Sequence, residues 1–182
     1  MNDTNNVKFK DWNSFKSPRV LTEVALFTAL ATVLSVIKIW KMPLGGSVTL
    51  ASMMPLIWLS LRRGPKVGLF AGVVYGFVQM AIDPQIFYPT QILLDYPLAF
   101  GIIGLAGFFK NHPIIGTTTA VTSRFIMHLI SGAVFFAEYT PDGMNPWVYS
   151  TLYNGSYMLA ELGISIFFIF LLHKTKLLKA YT

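Results

Sequence analysis

The chain has 182 residues, 54% of them hydrophobic and only 12% charged, with a mean hydropathy of +0.56. A soluble domain carries about a quarter charged residues, so this is the composition of an integral membrane protein. Cysteine is absent, which excludes disulfides and thiolate metal sites, and the formal charge of +6 sits on basic residues that bracket apolar segments without forming a stripe, which argues against nucleic acid as a partner.

Residues 1–18 are polar, lack the apolar core of a cleavable signal, and read as a cytoplasmic tail. Six apolar segments follow, at 20–39, 48–61, 67–82, 89–109, 113–136 and 147–172. A spanning helix needs about twenty residues. The first, fourth, fifth and sixth segments qualify cleanly; the second and third read as short or tilted helices. Pro55 is placed to kink the second, and Gly64–Pro65 breaks the chain before the third. All but Lys38, Lys41 and Arg124 of the 14 basic residues fall on one side of this arrangement. By the positive-inside rule both termini are cytoplasmic, and the loops 40–47, 83–88 and 137–146 face outward. Residues 19–176 therefore form one all-α membrane domain, and 177–182 a cytoplasmic tail.

The first segment carries Ala25, Thr28, Ala29 and Thr32, small residues at helical spacing that let another helix approach; spacing alone favours packing inside the bundle. Glu23 is expected in the first turn, where a helix N-terminus favours an anion. The fourth segment holds Asp95 in an otherwise apolar run. A carboxylate at membrane depth costs a few kcal/mol, which makes it a functional-site hypothesis by default. Tyr96 adjoins it. Pro97 removes a backbone donor and should bend the helix, freeing the Leu93 carbonyl.

In the fifth segment Arg124 and His128 lie four residues apart and share a face. In the sixth, Tyr149, Tyr153 and Tyr157 recur every four residues, with Asn154 and Glu161 at the edge of that face. Each has a plain reading as well. Arg124 could pair with Glu161 or Asp95 as structural glue, His128 could be a packing histidine, and Trp147, Tyr88 and Tyr139 suit an interfacial belt. Together, an anion, an imidazole, an amide and several rings suggest a pocket for a flat cationic heteroaromatic ligand. The chain has no P-loop and no H-E-x-x-H motif, and its three histidines are too dispersed for zinc. Ser131 near His128 lacks a nucleophile-elbow context, which leaves an intramembrane enzyme using Asp95 and His128 as the rival of another class.

In order along the chain, RVLTEVALFTALATVLS, MPLGGSVTLASMMPLIWLSLRRGPKVGLFAG, QILLDYPLAFGIIGLAG, HLISGAVFF and WVYSTLYNGSYM resemble the ThiT (YuaJ) family. Its members are thiamine-binding S-components of energy-coupling factor (ECF) transporters in bacteria. The resemblance implies the six-transmembrane-helix S-component fold, a plasma-membrane location in a prokaryote, and a thiamine pocket near the outer surface. It implies thiamine as transported ligand rather than cofactor, with no cofactor and no catalysis. By position it assigns ligand contacts to Asp95, Tyr96, His128, Tyr149 and Asn154, and close ligand approach to Gly132.

Phe136 stands where some members stack a tryptophan. Trp40 is out of register with another, Gly46 lying nearer that place, and Gln85 replaces a pocket tyrosine for which Phe87 or Tyr88 could substitute. Ala25 and Ala29 match a pair that docks on the energising module, a transmembrane coupling protein with two cytosolic ATPases. The undocked subunit is expected to be a lipid-embedded monomer, with loop 40–47 as a lid. A thiamine precursor or another flat vitamin is the nearest alternative cargo.

Overall fold

The computed structural model describes residues 17–175. The expected tails at 1–18 and 177–182, including Lys8, Lys10, Lys16 and Lys179, lie almost wholly outside the described residues, as does Lys176.

Helix α1 runs Pro18–Val36. Proline at its first position is tolerated because that N–H would have no helical acceptor. Val20, Val24, Phe27 and Ala31 face inward at helical spacing, whereas Leu21, Leu26, Leu30 and Val33 point outward. An outer face this apolar is a liability in water and ordinary against lipid tails. The expected first helix stops short of residue 39. The chain turns instead into β1 (Lys38–Lys41) and β2 (Ser47–Thr49), an antiparallel hairpin whose loop contains Gly45 and Gly46 at φ +89° and +67°. The second helix likewise starts late, as α2 (Met54–Arg63), and Pro55 lies in its first turn, where it initiates the helix rather than kinking it.

Gly64, at φ +94°, ends α2, and Pro65 opens α3 (Pro65–Ile82). Helix α3 presents Gly68, Gly72 and Gly76 to the next helix. A Cβ on Gly72 would lie 2.1 Å from the Phe100 carbonyl oxygen, so only glycine lets these two backbones touch. That next helix, α4 (Pro89–Phe109), starts as a regular α-helix over Pro89–Leu93 and is irregular beyond it. It widens into a π-helical turn over Leu94–Leu98, which contains Pro97, and tightens to 3₁₀ geometry over Ile102–Phe109. The wide turn is how α4 absorbs the missing proline N–H and the ring's clash with the preceding turn. Helices α5 (Pro113–Phe135) and α6 (Pro146–Lys174) complete the bundle. Asn145 caps α6, its Oδ1 accepting the Trp147 N–H at 2.9 Å.

Four of these helices, α1, α3, α4 and α6, are long and apolar enough to cross a membrane. Helix α2 has ten residues, about 15 Å. Helix α5 has the length, but its threonines, Arg124 and His128 lower its hydropathy, so its sequence does not qualify as cleanly as expected. Glu23 lies beyond the first turn of α1, and its role is different from that expected. Its carboxylate accepts Arg63 Nε at 2.6 Å and Arg62 Nη2 at 3.3 Å, tying α1 to the α2–α3 turn. The small-residue stripe also divides: Thr28 is buried, while Ala25 and Ala29 are exposed on the outward face of α1.

Candidate ligand-binding site

The π-helical turn of α4 brings Asp95 opposite α5, where three donors converge on its carboxylate. Gln91 Nε2 and Ser131 Oγ donate to Oδ2 at 2.6 and 2.8 Å, and His128 Nδ1 lies 2.9 Å from Oδ1. The carboxylate fixes the imidazole tautomer, with the proton on Nδ1 and Nε2 as the acceptor. Charge-assisted bonds of this kind are the strong ones, so the anion is held rigidly. Ser131 Oγ donates to the carboxylate and not to His128, so the two are not paired as a serine nucleophile and its base are.

Asp95 opens onto a cavity of about 140 Å³ between α3, α4, α5, α6 and the hairpin. One buried water needs only about 10–15 Å³ by the same measure, so this is a chamber for a small organic molecule. Tyr96, His128, Gly132, Phe136, Tyr149 and Asn154 all line it, and so do Tyr153 and Tyr157. The aromatic side is α6: successive ring centroids of Tyr149, Tyr153 and Tyr157 are 5.9 and 6.4 Å apart. Tyr157 Oη donates to Asn154 Oδ1 at 2.8 Å, and Asn154 Nδ2 donates to the Ser150 carbonyl at 3.0 Å. At Gly132 a Cβ would stand 2.3 Å from Ser150 Oγ. That glycine is therefore demanded first by the close approach of α5 and α6.

Deeper in the chamber, Arg124 takes neither of the two ion pairs open to it on the sequence, with Glu161 or with Asp95. Its guanidinium lies 4.1 Å over the Phe100 ring, with Nη1 2.9 Å from Met53 Sδ. Glu161 accepts the Thr49 N–H at 2.5 Å and the Thr49 hydroxyl at 2.7 Å through one oxygen, rooting the hairpin in the chamber floor. Arg124 Nε, His128 Nε2 and Glu161 Oε2 have no hydrogen-bond partner among the described residues. A chamber with this much open hydrogen-bonding capacity suits a ligand carrying both donors and acceptors.

Two loops roof the chamber. Tyr153 Oη accepts the Leu44 N–H at 2.9 Å and donates to the Gly45 carbonyl at 3.1 Å, clasping the hairpin to α6. Asp83, after α3, bonds Lys38 of β1 and lies 3.6 Å from Lys41. The Lys38 ammonium holds the Asp83 carboxyl below its usual range, against the opposing effect of partial burial. The bridge between the two loops therefore persists at neutral pH and is lost as pH falls through that depressed value. At Gly46, with φ +67°, a Cβ would lie 2.6 Å from Tyr157 Cε1. Gly46→Ala is thus expected to lift the hairpin from α6 and speed tryptic cleavage at the exposed Lys41 several-fold in the solubilised protein; an unchanged cleavage rate would refute this seating.

The pattern of the family described as "Thiamine transporter protein (Thia_YuaJ)" matches residues 21–180. The chain belongs to that family. The thiamine transporter ThiT of Bacillus subtilis is 38% identical to it, the match covering 88% of this chain and 94% of that one. ThiT of Lacticaseibacillus paracasei is 28% identical over 63% of this chain and 67% of its own. A solved structure of ThiT from Listeria monocytogenes superposes with a TM-score of 0.78 over 86% of this chain and 93% of that one, at 26% identity. With its four apolar helices, this Thia_YuaJ member is a predominantly helical membrane protein.

Within this family framework, Gln85 itself lines the chamber, at the place where a tyrosine was expected to need replacing. Phe87 stacks behind, its ring 4.9 Å from that of Phe136. Trp40 is half exposed on the hairpin and does not line the chamber. Sequence reading missed Gln91 and gave no binding role to Ser131, the two uncharged donors to Asp95. A glutamine four residues before a membrane-depth carboxylate shares its helix face, and that spacing was a usable signal.

Proposed function

We propose that this chain is the thiamine-binding component of a membrane transporter, taking the vitamin from outside into the chamber beneath the hairpin. The observation that carries the reading is the caged Asp95 carboxylate facing tyrosine rings, in a chain 38% identical to a thiamine transporter. Asp95 offsets the fixed positive charge of the thiazolium ring. Tyr149 and Phe136 contribute ring faces, which attract a flat cation. Tyr96, His128 and Asn154 supply hydrogen bonds and hold the walls, and Gly132 keeps α5 and α6 close enough for them to do so. The hairpin loop 40–47 is the lid.

In this reading all six helices lie in the membrane, with α2 short, both termini cytoplasmic and the chamber open to the outer side. The distribution of Lys and Arg supports that orientation. The subunit is a lipid-embedded monomer of a prokaryotic plasma membrane until it docks on an ECF module of a transmembrane coupling protein and two ATPases. Ala25 and Ala29, exposed on α1, are the docking pair. ATP hydrolysis by that module, not by this chain, drives release inward.

Equilibrium titration of the purified protein against a panel of vitamins and thiamine precursors tests the cargo. Saturable binding of thiamine, with the ligand recovered unchanged, is expected. Flat thiamine curves with saturation by another vitamin would replace the cargo, and turnover of the ligand would replace the transporter reading with the enzyme one.

A further inference from the structure

Gln91 lies four residues before Asp95 on α4 and is 1% exposed. A glutamine this buried needs both amide hydrogens and its carbonyl satisfied. One hydrogen goes to Asp95 Oδ2 at 2.6 Å and the other to the Gln85 carbonyl at 3.0 Å, while Oε1 accepts the Phe87 N–H at 3.2 Å. The reversed amide would set N–H against N–H and oxygen against two oxygens, so the network decides the assignment. One side chain thus grips the carboxylate and two backbone positions of the loop 83–88. Tyr96 holds the same loop through the Gln85 N–H at 2.6 Å and the Asp83 carbonyl at 3.0 Å. That loop is therefore anchored already, and nothing about anchoring requires a bond to Asp95.

The bond to Asp95 has a consequence for ligand binding. Oδ2 receives both Gln91 and Ser131, while Oδ1 receives His128 alone. With Oδ2 doubly bonded, the carboxylate is turned so that Oδ1 keeps its free acceptor position. Opening the loop 83–88 takes away the two bonds that orient the Gln91 amide, to the Gln85 carbonyl and from the Phe87 N–H, so its donor is no longer fixed on Oδ2 and the carboxylate is freer to rotate.

We propose that Gln91 is a positioning residue that joins the second outer loop to the Asp95 carboxylate, so that closing the loop and presenting the ligand-facing oxygen are one event. A ligand bonded to Oδ1 then stabilises the closed loop, and loop opening weakens the hold on the ligand. The identity of that ligand rests on the thiamine reading; the coupling of loop and carboxylate does not.

The chain has no cysteine, so a single reporter, Ser35→Cys on the chamber wall, measures access without any ligand. Gln91→Leu removes all three bonds at nearly constant bulk, and Gln91→Met removes them while keeping the unbranched shape of glutamine. In either variant a charged methanethiosulfonate reagent should label the introduced thiol about fivefold faster or more, and thiamine should dissociate about tenfold faster. If Gln91→Leu loses its helical circular dichroism, Gln91→Met is the variant read. In an Asp95→Asn background, Gln91→Leu should add less than about a threefold further loss of affinity, because its effect passes through the carboxylate. Unchanged labelling, or affinity losses that multiply independently, would overturn the proposal. If the parent protein binds no thiamine, the cargo reading falls, and the labelling rates alone decide the role of Gln91.

Discussion

Asp95→Asn is expected to weaken thiamine binding more than tenfold, a loss of about 1.4 kcal/mol or more. Two effects act in the same direction. The substitution removes the charge that offsets the ligand's cation at a side chain only 15% exposed, and there Coulomb attraction is stronger than at a surface. It also turns an all-acceptor group into one with an amide nitrogen. Gln91 Nε2, Ser131 Oγ and His128 Nδ1 all meet the carboxylate as donors, so one of them faces another donor in the variant. Hydrogen bonds to charged groups are worth about 1.5–3 kcal/mol, which puts tenfold at the low end of the expected loss. Equilibrium titration of the purified variant measures it. Affinity equal to that of the parent would show that the carboxylate is not a ligand group.

Ala29→Trp, or Ala25→Trp, is expected to abolish thiamine uptake by cells that carry the energising module, while binding by the purified subunit stays intact. Both alanines are exposed on α1 and stand one turn apart, so they offer a flat strip where a second helix can come close. An indole there holds the helices several ångströms apart and forfeits the packing that drives helix association in lipid. The chamber lies on the other side of α1, so its ligand contacts are untouched. Uptake assays and titration separate the two functions. Normal uptake by either variant would return the strip to a lipid-facing role.

The two sites differed in how far the amino-acid order could be read. Asp95 stood out because a carboxylate in an apolar run is costly unless used, and it lines the chamber together with Tyr96, His128, Tyr149 and Asn154. The sequence left the role of Arg124 open for a physical reason. Opposite charges suggested a pair, whereas its guanidinium stacks on Phe100, a contact between residues 24 positions apart that no local pattern encodes. The hairpin was missed because Ile37, Ile39 and Val48 are as apolar as the helices they adjoin, and over so short a run helical and strand patterns look alike.

Composition, the spacing of apolar segments and the placement of Lys and Arg were enough to specify a helical membrane protein and to single out Asp95, since hydropathy and charge act locally and additively. The tertiary structure decided what surrounds that carboxylate. Gln91, Ser131 and His128 converge on it because a π-helical turn at Pro97 aims Asp95 at α5. The cage belongs to the packing of two helices and a loop, because hydrogen bonds depend on distance and direction in space, which separation along the chain does not set.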